Sequence, residues 1–114
     1  MLYFVKGEFV EGNIAGKPTE EAIAWIEHVI HPSLEALEKM IQEKKITGGL
    51  VAGVREGIFI VDFPSNQDVG EFLRGLPFWA ALKWTVYPLQ SPKSCVEQDR
   101  VAFQKARAMM AGQR

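Results

Sequence analysis

Apolar residues in this chain recur at strand period and at helical period in alternating blocks. Residues 2–10 place Leu2 and Phe4 on one side and Tyr3, Val5 and Phe9 on the other, so both faces of this strand call for cover. Polar residues Glu11, Gly12, Asn13, Gly16 and Lys17 predict a loop. Pro18, Thr19, Glu20 and Glu21 then open a helix, with acids where the macrodipole favours them. That helix runs to about Lys44 and buries a stripe at Ile23, Ile26, Ile30, Leu34, Leu37 and Ile41. Pro32 has no N–H for the turn before it and predicts a kink or break near His31.

A second strand spans residues 46–54, Arg55-Glu56-Gly57 is a tight turn, and a third strand spans 58–63, making a hairpin. Gly48, Gly49 and Gly53 within the second strand open space for a ligand or a neighbouring subunit. A second helix covers 66–76 with Val69, Phe72, Leu73 and Leu76 on its apolar side, and Pro77 helps to end it. The fourth strand spans 83–89. Ser94 and Glu97 match a capping box, which opens a C-terminal helix to about Met110 with Val96, Val101 and Phe103 available for packing.

The order is therefore βαββαβ plus one helix, the ferredoxin-like α+β plan, with 1–93 as the domain and 94–114 as a helical extension. In that plan both helices cover one face of a four-stranded antiparallel sheet. Here Ile58 and Ile60 oppose Phe59, Val61 and Phe63, and Tyr87 and Leu89 oppose Trp84 and Val86. An uncovered face with several such side chains is large enough to mark an interface, so two sheets are expected to pack as a homodimer or within a larger homo-oligomer. The extension, with Arg100, Lys105, Arg107 and Arg114 against Glu97 and Asp99, is expected to reach a neighbouring subunit.

The chain has 114 residues, 47% of them hydrophobic, which suits one domain with a real core. Its net charge of −1 argues against nucleic acid, which calls for clustered Lys and Arg. No apolar run approaches the roughly 20 residues of a membrane span, and the opening residues do not read as a signal peptide. Cys95 is the only cysteine, which excludes an internal disulfide and a cysteine-built metal cluster and fits a reducing compartment. A soluble, cytoplasmic protein is expected.

Three motifs carry a family likeness: the opening Met1-Leu2-Tyr3-Phe4-Val5-Lys6, the strand end Asp62-Phe63-Pro64-Ser65, and Leu76-Pro77-Phe78-Trp79. Together they resemble the muconolactone delta-isomerase family, over roughly residues 1–95. The resemblance implies a dimeric α+β barrel, often built into larger rings, and a cofactor-free proton shift that moves a double bond within a small unsaturated lactone. The glycine-rich, apolar segment 47–53 departs from that family, whose second strand tends to be polar and basic, and this chain carries a longer first helix and a C-terminal helix.

Such a reaction needs a base beside a carbonyl, a cation or acid for the dienolate, and a pocket that excludes water. Lys6 and Glu8 project to one face of the first strand and suit positive charge and base, or else form an ordinary surface ion pair. His28 and His31, three apart on the helix, suit a proton shuttle, or else face solvent beside the break at Pro32. Without a third His or Cys to complete a site, no metal is expected. Tyr3, Trp79, Trp84 and Tyr87 suit the lining of a cavity for a small-molecule ring, or else belong to core and interface. Asp62 suits a cap or turn, and Cys95 has too little basic company for a nucleophile. Three functions remain open: an isomerase, a non-catalytic small-molecule-binding or assembly module of the same fold, and a cofactor-free oxidase or cyclase of aromatic polyketides.

Overall fold

The computed structural model describes residues 1–10 and 19–112; the loop expected at Glu11–Lys17 and the Pro18 helix start lie outside them. Four strands, β1 (Leu2–Phe9), β2 (Ile46–Leu50), β3 (Glu56–Asp62) and β4 (Leu82–Pro88), form one antiparallel sheet in the order β2-β3-β1-β4. The helices are α1 (Glu20–Trp25), α2 (His31–Gln42), α3 (Asn66–Arg74) and α4 (Pro92–Gly112). This is the ferredoxin-like α+β plan with an added C-terminal helix.

Register sorts the side chains into two faces. Tyr3 pairs with Val61, Val5 with Phe59 and Val86, and Gly7 with Gly57 and Trp84, all toward the helices. Phe4 pairs with Ile60 and Tyr87, Lys6 with Ile58 and Thr85, and Glu8 with Glu56 and Lys83, all on the opposite, open face. The core forms on the helix side, where Tyr3, Val5, Ile46, Phe59 and Val61 meet Ile30 and Leu37 from the first helical layer and Val69, Leu73, Leu76 and Phe78 from the second. Of the six-residue stripe, Ile30 and Leu37 are buried, Ile26, Leu34 and Ile41 partly so, and Ile23 is exposed.

The expected break near His31 is a π-helical turn over Ile26–Ile30, which separates α1 from α2 and lets the His31 N–H reach the Ile26 carbonyl. Pro32 sits in the first turn of α2, where its missing N–H costs least. Thr19 caps α1 by accepting the Ala22 N–H at 3.1 Å, and Ser65 caps α3 by accepting the Asp68 N–H at 3.3 Å. The Asp62 carboxylate instead pairs with the Met1 amino group at 2.9 Å.

Most element ends fall within two residues of the sequence reading, and three differences move residues between elements. Strand β2 stops at Leu50, and the turn occupies residues 51–55, closed by the Val51 N–H on the Glu56 carbonyl at 2.9 Å. Glu56 is thereby the first residue of β3, paired with Glu8, instead of a turn residue. The last helix starts at Pro92 because Ser91, one position ahead of it, accepts the Ser94 N–H at 3.1 Å, displacing the Ser94/Glu97 cap. At Gly48, φ is +140° and a Cβ would stand 2.1 Å from the Ile58 carbonyl oxygen, so only glycine lets β2 close on β3 there.

Candidate functional site

The site begins with two glycines on the helix-facing side of the sheet. A Cβ at Gly7 would lie 2.9 Å from the Trp84 ring, and one at Gly57 would lie 2.9 Å from the Phe59 ring. Their absence lets both rings lie across the strands. Phe9, Phe78 and Trp84 then form an edge-to-face wall, with ring centroids 6.3 Å apart for Phe9 and Phe78 and 6.0 Å for Phe78 and Trp84. Leu34 and Leu37 of α2 close the opposite side.

These residues enclose a cavity of about 180 Å³. Pockets for drug-sized ligands run to about 300 Å³ and above, whereas an apolar cavity of about 150 Å³ already admits benzene. The space therefore suits one small ring. Its interior is apolar, and the charged lining residues are Arg55 and Glu56. An adjoining recess is lined by Glu8 and Val10 and shares Phe9, Val54, Arg55 and Glu56 with the cavity. Among the described residues, no ion pair engages the Arg55 guanidinium.

Lys6, Glu8 and Glu56 form a compact charge group on the open face of the sheet, and its two carboxylate residues also line that recess. The Lys6 ammonium lies 2.8 Å from Glu8 Oε1 and 3.8 Å from Glu56 Oε2. The hydrogen bond from Lys6, then its charge, holds the Glu8 carboxyl below its ordinary range. The same bond, with the charges of Glu56 and Glu8, holds the Lys6 ammonium above its own. Glu56, beyond hydrogen-bond distance of Lys6, is the carboxylate less committed to that cation.

The other candidates lie elsewhere. His28 and His31 are exposed on the helical layer, so the sheet stands between them and the Lys6–Glu8 pair within one chain. Of the four aromatics, Trp84 lines the cavity. Tyr3 is in the core, with its hydroxyl donating to Asn66 Oδ1 at 2.9 Å. Trp79 is on a short 3₁₀ turn, its carbonyl accepting the Trp84 indole N–H at 3.0 Å and its ring under the Arg74 guanidinium. Tyr87 is on the open face, stacked on Phe4 with centroids 6.0 Å apart. Arg55 and Glu56 enter only through the structure, since the register that puts Glu56 beside Glu8 depends on where the hairpin turns. Among the described residues, no three His, Cys, Asp or Glu side chains converge as a metal site, and no helix is long and apolar enough to cross a membrane.

No protein-family model and no curated protein matches the chain. Solved structures do. A crystal structure of muconolactone isomerase is similar with a TM-score of 0.62 at 21% identity, covering 82% of this chain and 94% of that one. A 5-chloro-2-hydroxyhydroquinone dehydrochlorinase from Burkholderia phenoliruptrix, in complex with 2,5-dihydroxybenzoquinone, is similar with a TM-score of 0.52 at 21% identity, covering 82% of this chain and 97% of that one. What the chain shares with both is the α+β fold.

Proposed function

We propose that this protein is a small cofactor-independent isomerase that shifts a proton within an unsaturated lactone or a similar small acidic ring. The observation that carries the reading is a ring-sized apolar cavity whose rim and adjoining recess carry the Arg55 guanidinium together with the Glu56 and Glu8 carboxylates. The ring lies over Gly7 and Gly57. Arg55 holds the substrate's carboxylate and the developing enolate, Glu56 removes and returns the proton, and Lys6 acts from the open face by pairing with Glu8 and setting the charge beside Glu56. An apolar surround strengthens each of these interactions relative to water. His28 and His31 take no part within one chain. The protein works in the cytoplasm as a homodimer whose open sheet faces meet, which covers Phe4, Ile58, Ile60 and Tyr87 and encloses the charge group.

Incubation with muconolactone, followed by ultraviolet absorbance, tests this directly. Glu56→Gln is expected to lower kcat by about 10²–10⁴, the usual contribution of a general base, and Lys6→Met to weaken both KM and kcat. A wild type that turns over no unsaturated lactone, or a Glu56→Gln and Glu8→Gln pair as fast as wild type, removes the proposal.

A second reading, a binding or assembly module without chemistry, is favoured by one observation. Glu8 is kept ionised by Lys6, whereas a general base works best near the operating pH. Ring binding in the cavity with no turnover would select it.

A further inference from the structure

The α4 helix is the least covered element of the molecule. Among residues 92–112 only Ser94 is even half-buried, while Phe103 is 55% exposed and Met110 67%. The molecule measures 76 Å along its long axis against 31 and 25 Å across, and a 21-residue helix is about 32 Å long. The helix therefore projects as an arm. Helices standing in water draw most of their stability from a packed face, and this one has a face ready for packing.

Val96, Phe103 and Met110 recur every seven residues, the spacing that keeps a seam aligned along a pair of helices. Ala102 and Ala106 flank the seam and allow a second helix to approach closely. The charges choose the direction. In a parallel pair Asp99 would face Asp99 and Arg107 would face Arg107. In an antiparallel pair centred on Phe103, Val96 meets Met110 and Asp99 meets Arg107, and each contact occurs twice by symmetry. A surface complementary to itself in this way fits a second copy of the same chain. We propose that α4 helices of two copies pair antiparallel, crossing at Phe103. This does not depend on the activity or on how the sheet faces pack.

Cysteine cross-linking of the full chain tests the arrangement. The antiparallel pairing holds the two native Cys95 residues about 24 Å apart along the helix axis, while it brings the two 103 positions into contact. At micromolar concentration under mild oxidation, a Cys95→Ser, Phe103→Cys chain is expected to form disulfide-linked dimers at least tenfold faster than wild type. Since Phe103→Cys removes part of the seam, a mixture of Val96→Cys and Met110→Cys chains, both in the Cys95→Ser background, provides a second readout and is expected to link as heterodimers. Adding Asp99→Arg to the 103 variant should slow linking at least tenfold, and adding Arg107→Asp as well should restore it. Cys95 linking as fast as position 103, no linking by either pair of positions, or no rescue by the charge reversal would each overturn the proposal.

Discussion

The buried hydroxyl of Ser33 accepts the Phe78 backbone N–H at 3.0 Å while donating to the Val29 carbonyl at 3.0 Å. One oxygen thus ties α2 to the loop that follows α3 and fixes a ring of the cavity wall. Ser33→Ala strands the Phe78 N–H away from water, and leaving a buried donor unpaired costs about 1–3 kcal/mol. Urea unfolding should show that loss, with the midpoint lowered and the slope unchanged.

Lys44 ends α2 in the left-handed region at φ 60°, while the Lys45 N–H reaches the Met40 carbonyl at 2.9 Å and the Lys44 N–H reaches Ile41 at 3.0 Å. This is a Schellman ending with lysine where glycine is preferred. A left-handed L-residue costs about 1–2 kcal/mol, partly offset by the extra freedom glycine has when unfolded. Lys44→Gly is expected to raise stability by about 0.5–1 kcal/mol in the same assay.

Gly7→Val places carbon where the Trp84 ring lies, at 2.9 Å. Overfilling of this kind costs about 1–3 kcal/mol. The ring must shift into the cavity, so ligand binding should fall further than stability does, read by thermal melts with and without the lactone.

The Lys6–Glu8 pair gives a signed pH dependence. Glu8 is held below its ordinary 4.5 by the Lys6 hydrogen bond. Its contribution is fully present above pH 4.5 and disappears as pH falls through the folded value. Lys6 is held above its ordinary 10.5, so its contribution is present below that pH and disappears as pH rises through the folded value. Wild type and Glu8→Gln should therefore differ by a constant amount near neutrality and converge below pH 4.5. A stability gap that persists in acid would show that Glu8 acts through packing and not through its charge.

Phe4 and Tyr87 stack on the open face. If the open sheet faces meet as proposed, Phe4→Lys is expected to lower the sedimenting mass at micromolar concentration while leaving the helical circular dichroism unchanged.

The plan of the fold was legible because period-two and helical patterns alternate cleanly, and because Pro32, Pro77 and Thr19 punctuate them with chemistry that works locally. The two-faced sheet followed from the same alternation. The site was less legible because it depends on long-range register. Glu56 reads as a turn residue until the hairpin is known to close at Val51, and only then does it fall beside Glu8. Gly7 carries no signal of its own in the sequence; its importance comes from Trp84 crossing over it from β4. His28 and His31 show the converse, since helical spacing pairs them with each other but says nothing about which side of the sheet they occupy.

The indole of Trp84 forms part of the cavity wall and is held by the Trp79 carbonyl. A ring entering that space must touch it and change its surroundings. In a chain with Trp25 and Trp79 replaced by Phe, its fluorescence is consequently a built-in gauge of occupancy, so a library of small cyclic acids can be screened by emission with no dye attached.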